Sequence, residues 1–468
     1  MSSNQTSSST FELRIATKKE RFYNIFLAVV KKYCAFFKSV MNGYALNKKE
    51  KFYPHIKNQL LASKTYKPCL MYPIFMQNDY FIILNTDWIK ELLKHPRLKE
   101  GAFFGEGRQL VVIAEGLGRF RMSNDRKDAK EKRSILAQLV SKPEQYIPKI
   151  RAISHELVNE WSKSTTNEHV INNDIKKFTV GLYLKVLFNY QGEVDQIPQI
   201  LDQQIDLLAK RLKNRAINNF EQQFLTLRNQ LVDLIGHDEG LLKTTDYLNR
   251  LTNYIDSHYK SIEDDAFASG LNGAVLAGYL APYPAFLALI LELGKNVTYQ
   301  QELLVEWERM QESKVEFEVY IRKEDTLLDA IIHEVLRMNP SQPFLFRSVL
   351  KDMFINGYFV RKNTQILTDF YHAQRDPQFW GHSSDLFYPE RFLKNTAVCR
   401  EALLAYSTGP NNCSGQFFSR LSLKVLLLEL VTQISWHVTS KNIKHVFHFA
   451  LDFNSNITIA ISKNTSLS

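Results

Sequence analysis

Cysteine is scarce in this chain. Four in 468 residues (Cys34, Cys69, Cys399, Cys413), with no CxxC pair, leave no material for a disulfide framework or a structural zinc site and fit a reducing compartment. Charge of one sign is not massed either. The net +10 is carried by basic residues dispersed among 49 acids, and no RNA- or DNA-reading motif occurs, so the charge is a bias toward acidic partners and not a nucleic-acid footprint. The first substantial apolar run, within KKERFYNIFLAVVKKYCAFFKSV, covers only about nine residues, contains Asn24 and stops at Lys31 and Lys32. It has no small-residue cleavage pattern, which excludes a signal peptide, and it falls far short of the ~20 residues that cross a bilayer. No internal repeat, low-complexity linker or composition break follows residue 20. The expected organisation is a disordered polar tail over 1–20, a leading amphipathic helix over 21–50, and one large domain over 51–468. The leading helix packs on the protein or lies on a membrane surface. A soluble, cytoplasmic, monomeric protein without a transmembrane anchor is the expectation.

What is present is ample apolar material: 45% hydrophobic residues, 31 of them phenylalanine, enough for a wide aromatic core or an apolar pocket. Apolar residues at three- and four-residue spacing predict helices over 87–94, 125–140, 149–163, 173–190, 199–235, 262–294, 298–316, 325–338 and 416–435. MYPIFMQNDYFIILN predicts a hairpin. FRSVLKDMFINGYFVRKNTQIL predicts short strands around an Asn356-Gly357 turn, and HVFHFALDFNSNITIAIS a terminal hairpin. The fold class is mainly α with small β-sheets.

One cysteine stands apart. AYSTGPNNCSG places Cys413 between Gly409 and Gly415, directly before the helical run FFSRLSLKVLLLELV. A helix N-terminus favours a thiolate, and the flanking glycines permit tight turns and close backbone approach to a flat ligand. The competing reading is a buried cysteine acting as a small hydrophobe. The spacing Tyr406, Gly409, Cys413, Gly415 resembles the haem-binding loop of the cytochrome P-450 family. Further marks follow in the family's order. Glu334-Val335-Leu336-Arg337 matches ExxR, and Tyr388-Pro389-Glu390-Arg391-Phe392 resembles the second signature, with Gly357-Tyr358 and Arg375-Asp376-Pro377 recurring between them. His333-Glu334 also opens an HExxH pattern, but Arg337 fills the second histidine's place and excludes a zinc protease. The resemblance covers residues 262–435 clearly and the region from 66 more loosely.

The resemblance implies a single haem domain of P-450 fold containing haem b, with Cys413 as the proximal iron ligand. It implies a structural network of Glu334, Arg337 and Arg391, with Arg133 and Arg347 pairing the haem propionates. Asn411 stands where many members carry a haem-pairing arginine, and Ala129 where a tryptophan or histidine is usual. The run 262–294 is similar to the family's I-helix, and Ala277-Gly278 matches it. The acid and threonine that normally deliver protons are replaced by Leu280 and Ala281, followed by Pro282 and Pro284. Neither Leu280 nor Ala281 relays a proton.

Three activities are compatible with that departure. The first is monooxygenation of a hydrophobic small molecule, with electrons from NAD(P)H and a proton relay through ordered water, a freed backbone carbonyl or a substrate hydroxyl. The second is peroxide-driven peroxygenase or hydroperoxide isomerase chemistry. The third is low-turnover haem-thiolate binding or sensing. For the first, analogy with the family's proximal face implies that Arg126, Lys127, Lys130 and Lys132 receive an acidic ferredoxin- or flavodoxin-like donor. The expected pocket is Leu276, Ala277, Tyr279, Leu280 and Ala281 with Phe344, Leu345 and Phe346. Tyr279 either hydrogen-bonds in the pocket or faces outward.

Overall fold

The computed structural model describes residues 13–17, 19–20, 69–72, 80–83, 85–94, 105–106, 140, 142–163, 168–213, 218–243, 249–250, 253, 266–394, 396–409, 412–447 and 449–464. The expected leading helix over 21–50 lies outside them, as does nearly all of 125–140.

Helices dominate. In chain order the long ones are α1 (Thr86–Lys94), α2 (Ile147–Ser162), α3 (Asn172–Gly181), α4 (Ile197–Lys213), α5 (Phe220–Ile235), α6 (Ala266–Leu280), α7 (Pro282–Lys295), α8 (Thr298–Glu312), α9 (Leu327–Met338) and α10 (Gln416–Gln433). Two of them start on a side-chain cap. Asn85 Oδ1 accepts from Trp88 N at the head of α1, and Thr326 Oγ1 accepts from Asp329 N at the head of α9. The run over 199–235, expected as one helix, is two, because Asn219 takes a left-handed φ of 56° that no helix passes through. The run over 173–190 passes into a wide turn at Leu182–Leu187, and the run over 262–294 stops at Ala281 and restarts at Pro282. Buried apolar side chains from Val140 to Ile459 form one contiguous core around α6, α7, α9 and α10. The stretch Gly270–Lys295 is the one segment among the described residues long and apolar enough to cross a bilayer, and 78% of its most apolar window is buried inside the protein.

The sheets are small, as expected. Cys69–Tyr72 pairs antiparallel with Tyr80–Ile83, which runs parallel to Gln365–Asp369; that strand pairs with Phe344–Ser348, and Gly105–Glu106 closes the edge. Two pairings differ from the sequence expectation. Residues 13–15, assigned to a disordered tail, form a strand that pairs with Met353–Ile355, and Ala16 N donates to Asp352 O at 2.9 Å. The polar neighbours of Leu13–Ile15 hide a β-competent triplet whose partner is an edge strand 340 positions away in sequence. The terminal hairpin also splits. His445–Phe447 pairs with Leu451–Phe453, whereas Thr458–Lys463 pairs with Ile434–Val438 and His169–Val170. Burial of Ile457 and Ile459 in the main core outweighs continuation of the local hairpin.

Candidate haem-thiolate site

The loop before α10 is shaped by its backbone. Cys413 N donates to Tyr406 O at 2.9 Å and Asn412 N to Gly409 O at 3.2 Å, while Ser407 and Gly409 hold left-handed φ values of 60° and 78°. At Gly409 a Cβ would lie 2.3 Å from the carbonyl oxygen of Leu93, so the end of α1 admits no side chain there. Gly415 is different. Among the described residues a Cβ there would meet only the Cys413 sulfur, at 3.9 Å. Cys413 is exposed, and the first residue of the 18-residue α10 follows Gly415, which offers no side-chain cap to the helix's leading N–H groups. That environment favours the thiolate. Tyr406 donates to Ser419 Oγ at 3.0 Å, and burial pushes its hydroxyl pKa up.

Behind the loop the structure brings Glu334, Arg337 and Arg391 together. Glu334 Oε2 accepts from Arg337 Nε at 2.7 Å, Glu334 Oε1 from Arg337 Nη2 at 2.8 Å, and both oxygens from Arg391 Nε at 3.1 Å. Arg337 also donates to the carbonyls of Gln374, Ser384 and Leu386, so all five of its N–H groups are used. Gln374 extends the network: its Nε2 donates to Ala402 O at 2.9 Å and its Oε1 accepts from Leu404 N at 3.2 Å. This ties the helix bearing ExxR to the strand of chain that leads into the cysteine loop.

A second buried hub was not read from the sequence. Asp329, on α9, pairs with Lys424 Nζ of α10 at 2.6 Å and Arg400 Nη2 at 2.5 Å, and its backbone oxygen bonds the His333 ring at 2.7 Å. Burial raises the Asp329 pKa, but the His333 and Lys424 contacts outweigh it and hold the carboxyl at about 2. Thr326 followed by Asp329 announces a helix start; nothing local announces partners 71 and 95 residues away.

The broken helix has one open face. Ala277 is exposed and Gly273, Leu280, Ala281 and Pro282 are half-buried, whereas the residues from Tyr283 to Gly294 are buried. Leu276 and Tyr279, also expected in the pocket, are buried in the core, with Tyr279 donating to Asp202. Gly278 is required by packing, since a Cβ would sit 2.2 Å from the Tyr183 ring. Strand alternation also divides Phe344, Leu345 and Phe346. Phe344 is half-buried with its ring 5.4 Å from that of Phe447, whereas Leu345 packs into the separate apolar cluster around Ile83, Ile366 and Leu404. The Phe346 side chain, Arg133, Asn411, Ala129 and the basic run at 126–132 lie outside the described residues.

These residues suit haem. Among the described residues no three His, Cys, Asp or Glu side chains converge, and a single exposed thiolate suits a metal whose other ligands would come from a bound macrocycle. Arg347 is buried, and burial lowers its pKa only to about 10, so it remains a cation at neutral pH.

Comparison with known proteins agrees with the geometry. Residues 277–456 match the family model described as Cytochrome P-450. Probable cytochrome P-450 4ac1 of Drosophila melanogaster is 31% identical over 172 residues, 36% of this chain and 34% of that protein. Cytochrome P-450 3A5 of Homo sapiens is 28% identical over 238 residues, 50% of this chain and 44% of that one. The alignments span about a third to a half of the length of these curated relatives. Two solved structures share the fold: a retinoic acid-bound cyanobacterial CYP120A1 (TM-score 0.67, 16% identity, 91% of this chain and 96% of that one) and a zebra fish cytochrome P-450 with progesterone (TM-score 0.68, 17% identity, 88% and 99%). Likeness of sequence is concentrated in the stretch that builds the cysteine loop and its supporting network, and likeness of fold extends over most of the rest: residues 277–456 match the cytochrome P-450 family, and the chain shares the fold of its solved members.

Proposed function

We propose that the protein is a haem-thiolate monooxygenase acting on a largely apolar small molecule. The observation that carries this reading is the exposed Cys413 at an uncapped helix N-terminus, beside a glycine whose Cβ position meets, among the described residues, only the Cys413 sulfur. Haem bound there supplies oxidative chemistry, with electron donation from the thiolate favouring O–O bond cleavage. The chain's own part is to hold the sulfur anionic, to pair the propionates through Arg347 and Arg133, and to offer the apolar face of Ala277, Leu280 and Ala281 with Phe344 to the substrate. The titles of the two fold neighbours name retinoic acid and progesterone, and both molecules suit an apolar face of this kind. Burial of the Gly270–Lys295 segment inside the protein supports a chain that does not cross a membrane through that helix.

Electrons are assigned to a separate acidic ferredoxin- or flavodoxin-like protein docking at Arg126, Lys127, Lys130 and Lys132. Reversing those charges slows reduction and flattens its salt dependence; unchanged kinetics remove the assignment. A second reading, peroxide-driven oxidation or hydroperoxide rearrangement, is favoured by one observation. Positions 280 and 281 carry no side-chain oxygen or nitrogen to move a proton.

The test is a carbon monoxide difference spectrum of the reduced protein and of Cys413→Ser. Thiolate ligation predicts a red-shifted carbonyl band in the parent and its loss in the variant, and identical spectra refute the reading. Turnover with NAD(P)H and a donor, against turnover with peroxide alone, separates the two activities.

A further inference from the structure

The helix break at Ala281 is gripped from its enclosed side. Tyr279, near the end of α6, donates to Asp202 Oδ1 of α4 at 2.8 Å, and Asp202 Oδ2 accepts from Lys176 Nζ of α3 at 2.6 Å. Tyr283, in the first turn of α7, accepts from Asn172 Nδ2 at 3.2 Å. The two tyrosine rings lie nearly parallel, 5.7 Å apart at 13°, and Lys176 Nζ sits 5.5 Å from the Tyr283 centroid. Both sides of the break are therefore joined to each other and anchored to two further helices. Along the same α4–α6 seam, fully buried Gln204 donates to fully buried Asn272 at 2.8 Å, which fixes the register of α4 on α6.

The other side of the break is where the chemistry needs a polar group and the side chains provide none. Pro284 has no N–H, so the Leu280 carbonyl has no donor four residues on. Leu280 and Pro284 both fall on the helical face of Ala277. A helix freed of its ladder at such a point bends easily unless contacts elsewhere hold it.

We propose that Asp202 and Tyr279 are positioning residues that fix the break, so that the Leu280 carbonyl serves as the hydrogen-bond acceptor on the open face in place of the absent acid and hydroxyl. This rests on the haem-thiolate reading.

The experiment uses the full-length haem-loaded protein and compares Tyr279→Phe, Asp202→Ala and the conservative Asp202→Asn, which retains an acceptor for the tyrosine. Amide hydrogen exchange is followed in a peptide over 276–286 and in a control peptide over 327–338, alongside the ferric spin-state ratio, which reports the surroundings on the helix side of the haem. The expected result is exchange about tenfold faster over 276–286 in Tyr279→Phe and Asp202→Ala, an unchanged control peptide, a shifted spin-state ratio in both, and return to within about twofold of the parent in Asp202→Asn. Exchange within twofold of the parent in Tyr279→Phe overturns the proposal. So does equal acceleration in the control peptide, or faster exchange with an unmoved spin-state ratio. Failure of the thiolate reading shows separately, in the Cys413→Ser spectrum, and leaves the exchange result standing.

Discussion

Arg337→Lys keeps the charge and removes the fork, and the structure states what that does. Arg337 is fully enclosed, with its guanidinium 5.2 Å from the Trp380 ring centroid and five N–H groups each matched to an acceptor between 2.6 and 3.1 Å. Two N–H groups serve Glu334 and three serve the carbonyls of Gln374, Ser384 and Leu386, which converge from separate stretches of chain. A lysine ammonium has three donors radiating from one point and a shorter reach, so once one of them serves Glu334 it leaves at least one of the three carbonyls without a partner. Each buried acceptor so abandoned costs about 1–3 kcal/mol. The lost bidentate geometry adds to this, and the expected destabilisation is about 3–5 kcal/mol, a large part of the ~5–15 kcal/mol that holds an ordinary domain. Equilibrium urea unfolding of parent and variant, followed by tryptophan fluorescence, measures the difference from the midpoints at a common slope. Arg322→Lys, at an exposed site, is the control and moves the midpoint little. A loss below about 1 kcal/mol in Arg337→Lys refutes the argument that five-fold satisfaction, and not mere charge, makes this residue structural.

Further outcomes follow from the same contacts. Asp329 has its pKa held from 3.8 down to about 2, so it contributes stability that is full above pH 4 and disappears as the pH falls through 2, worth about 2.5 kcal/mol at 1.36 kcal/mol per pH unit. Asp329→Asn abolishes that segment of the acid-unfolding profile and, by leaving Lys424 and Arg400 facing a neutral amide, lowers stability at pH 7 as well; an acid limb identical to the parent's contradicts the assignment. Gly409→Ala meets the Leu93 carbonyl in a left-handed conformation and destabilises the folded protein by about 1–3 kcal/mol, readable as a lowered urea midpoint. Gly415→Ala leaves the apoprotein within about 0.5 kcal/mol of the parent yet lowers haem occupancy, measured by the ratio of Soret to protein absorbance; equal occupancy shows that the space beside Cys413 is not used.

The parts of this protein legible in its sequence are those where function and local geometry coincide in a short stretch. Cys413 with its glycines, Glu334 with Arg337, and Arg391 after the Tyr388-Pro389 corner each announce themselves within a few residues, and the structure places the last three in one network. Periodicity located the long helices, because burial on one side imposes spacing on the chain itself. What stayed hidden is set by partners distant in sequence. Leu13–Ile15 becomes a strand only because Met353–Ile355 presents an edge, and Asp329 becomes a hub only because Lys424 and Arg400 arrive from elsewhere. Tyr279 shows a third limit. Its neighbours Ala277 and Leu280 fall on the open face while it turns inward, and the phase that decides this is fixed by the tertiary contact with Asp202.

The two prolines of the broken helix acquire a different meaning once the break is seen as a boundary. Inside one continuous helix each proline costs roughly 3 kcal/mol, a total that few domains withstand. Here Pro282 is the first residue of α7 and Pro284 lies in its first turn, where the N–H groups have no helical partner in any case. The penalty largely disappears, and burial of every residue from Tyr283 to Gly294 holds the new helix in place. An interruption that is cheap and clamped on its far side by Asp202 and Asn172 is a stable geometry and not a weakened helix. On the proposed reading, the break and the acid–threonine pair of the resembling family would be alternative constructions at the same place: one puts polar side chains on an intact helix, the other opens the backbone. The network of Glu334, Arg337 and Arg391 and the hub at Asp329 hold the chain that leads into the cysteine loop, so that, on this reading, the difference from the family pattern is confined to the Ala277 side.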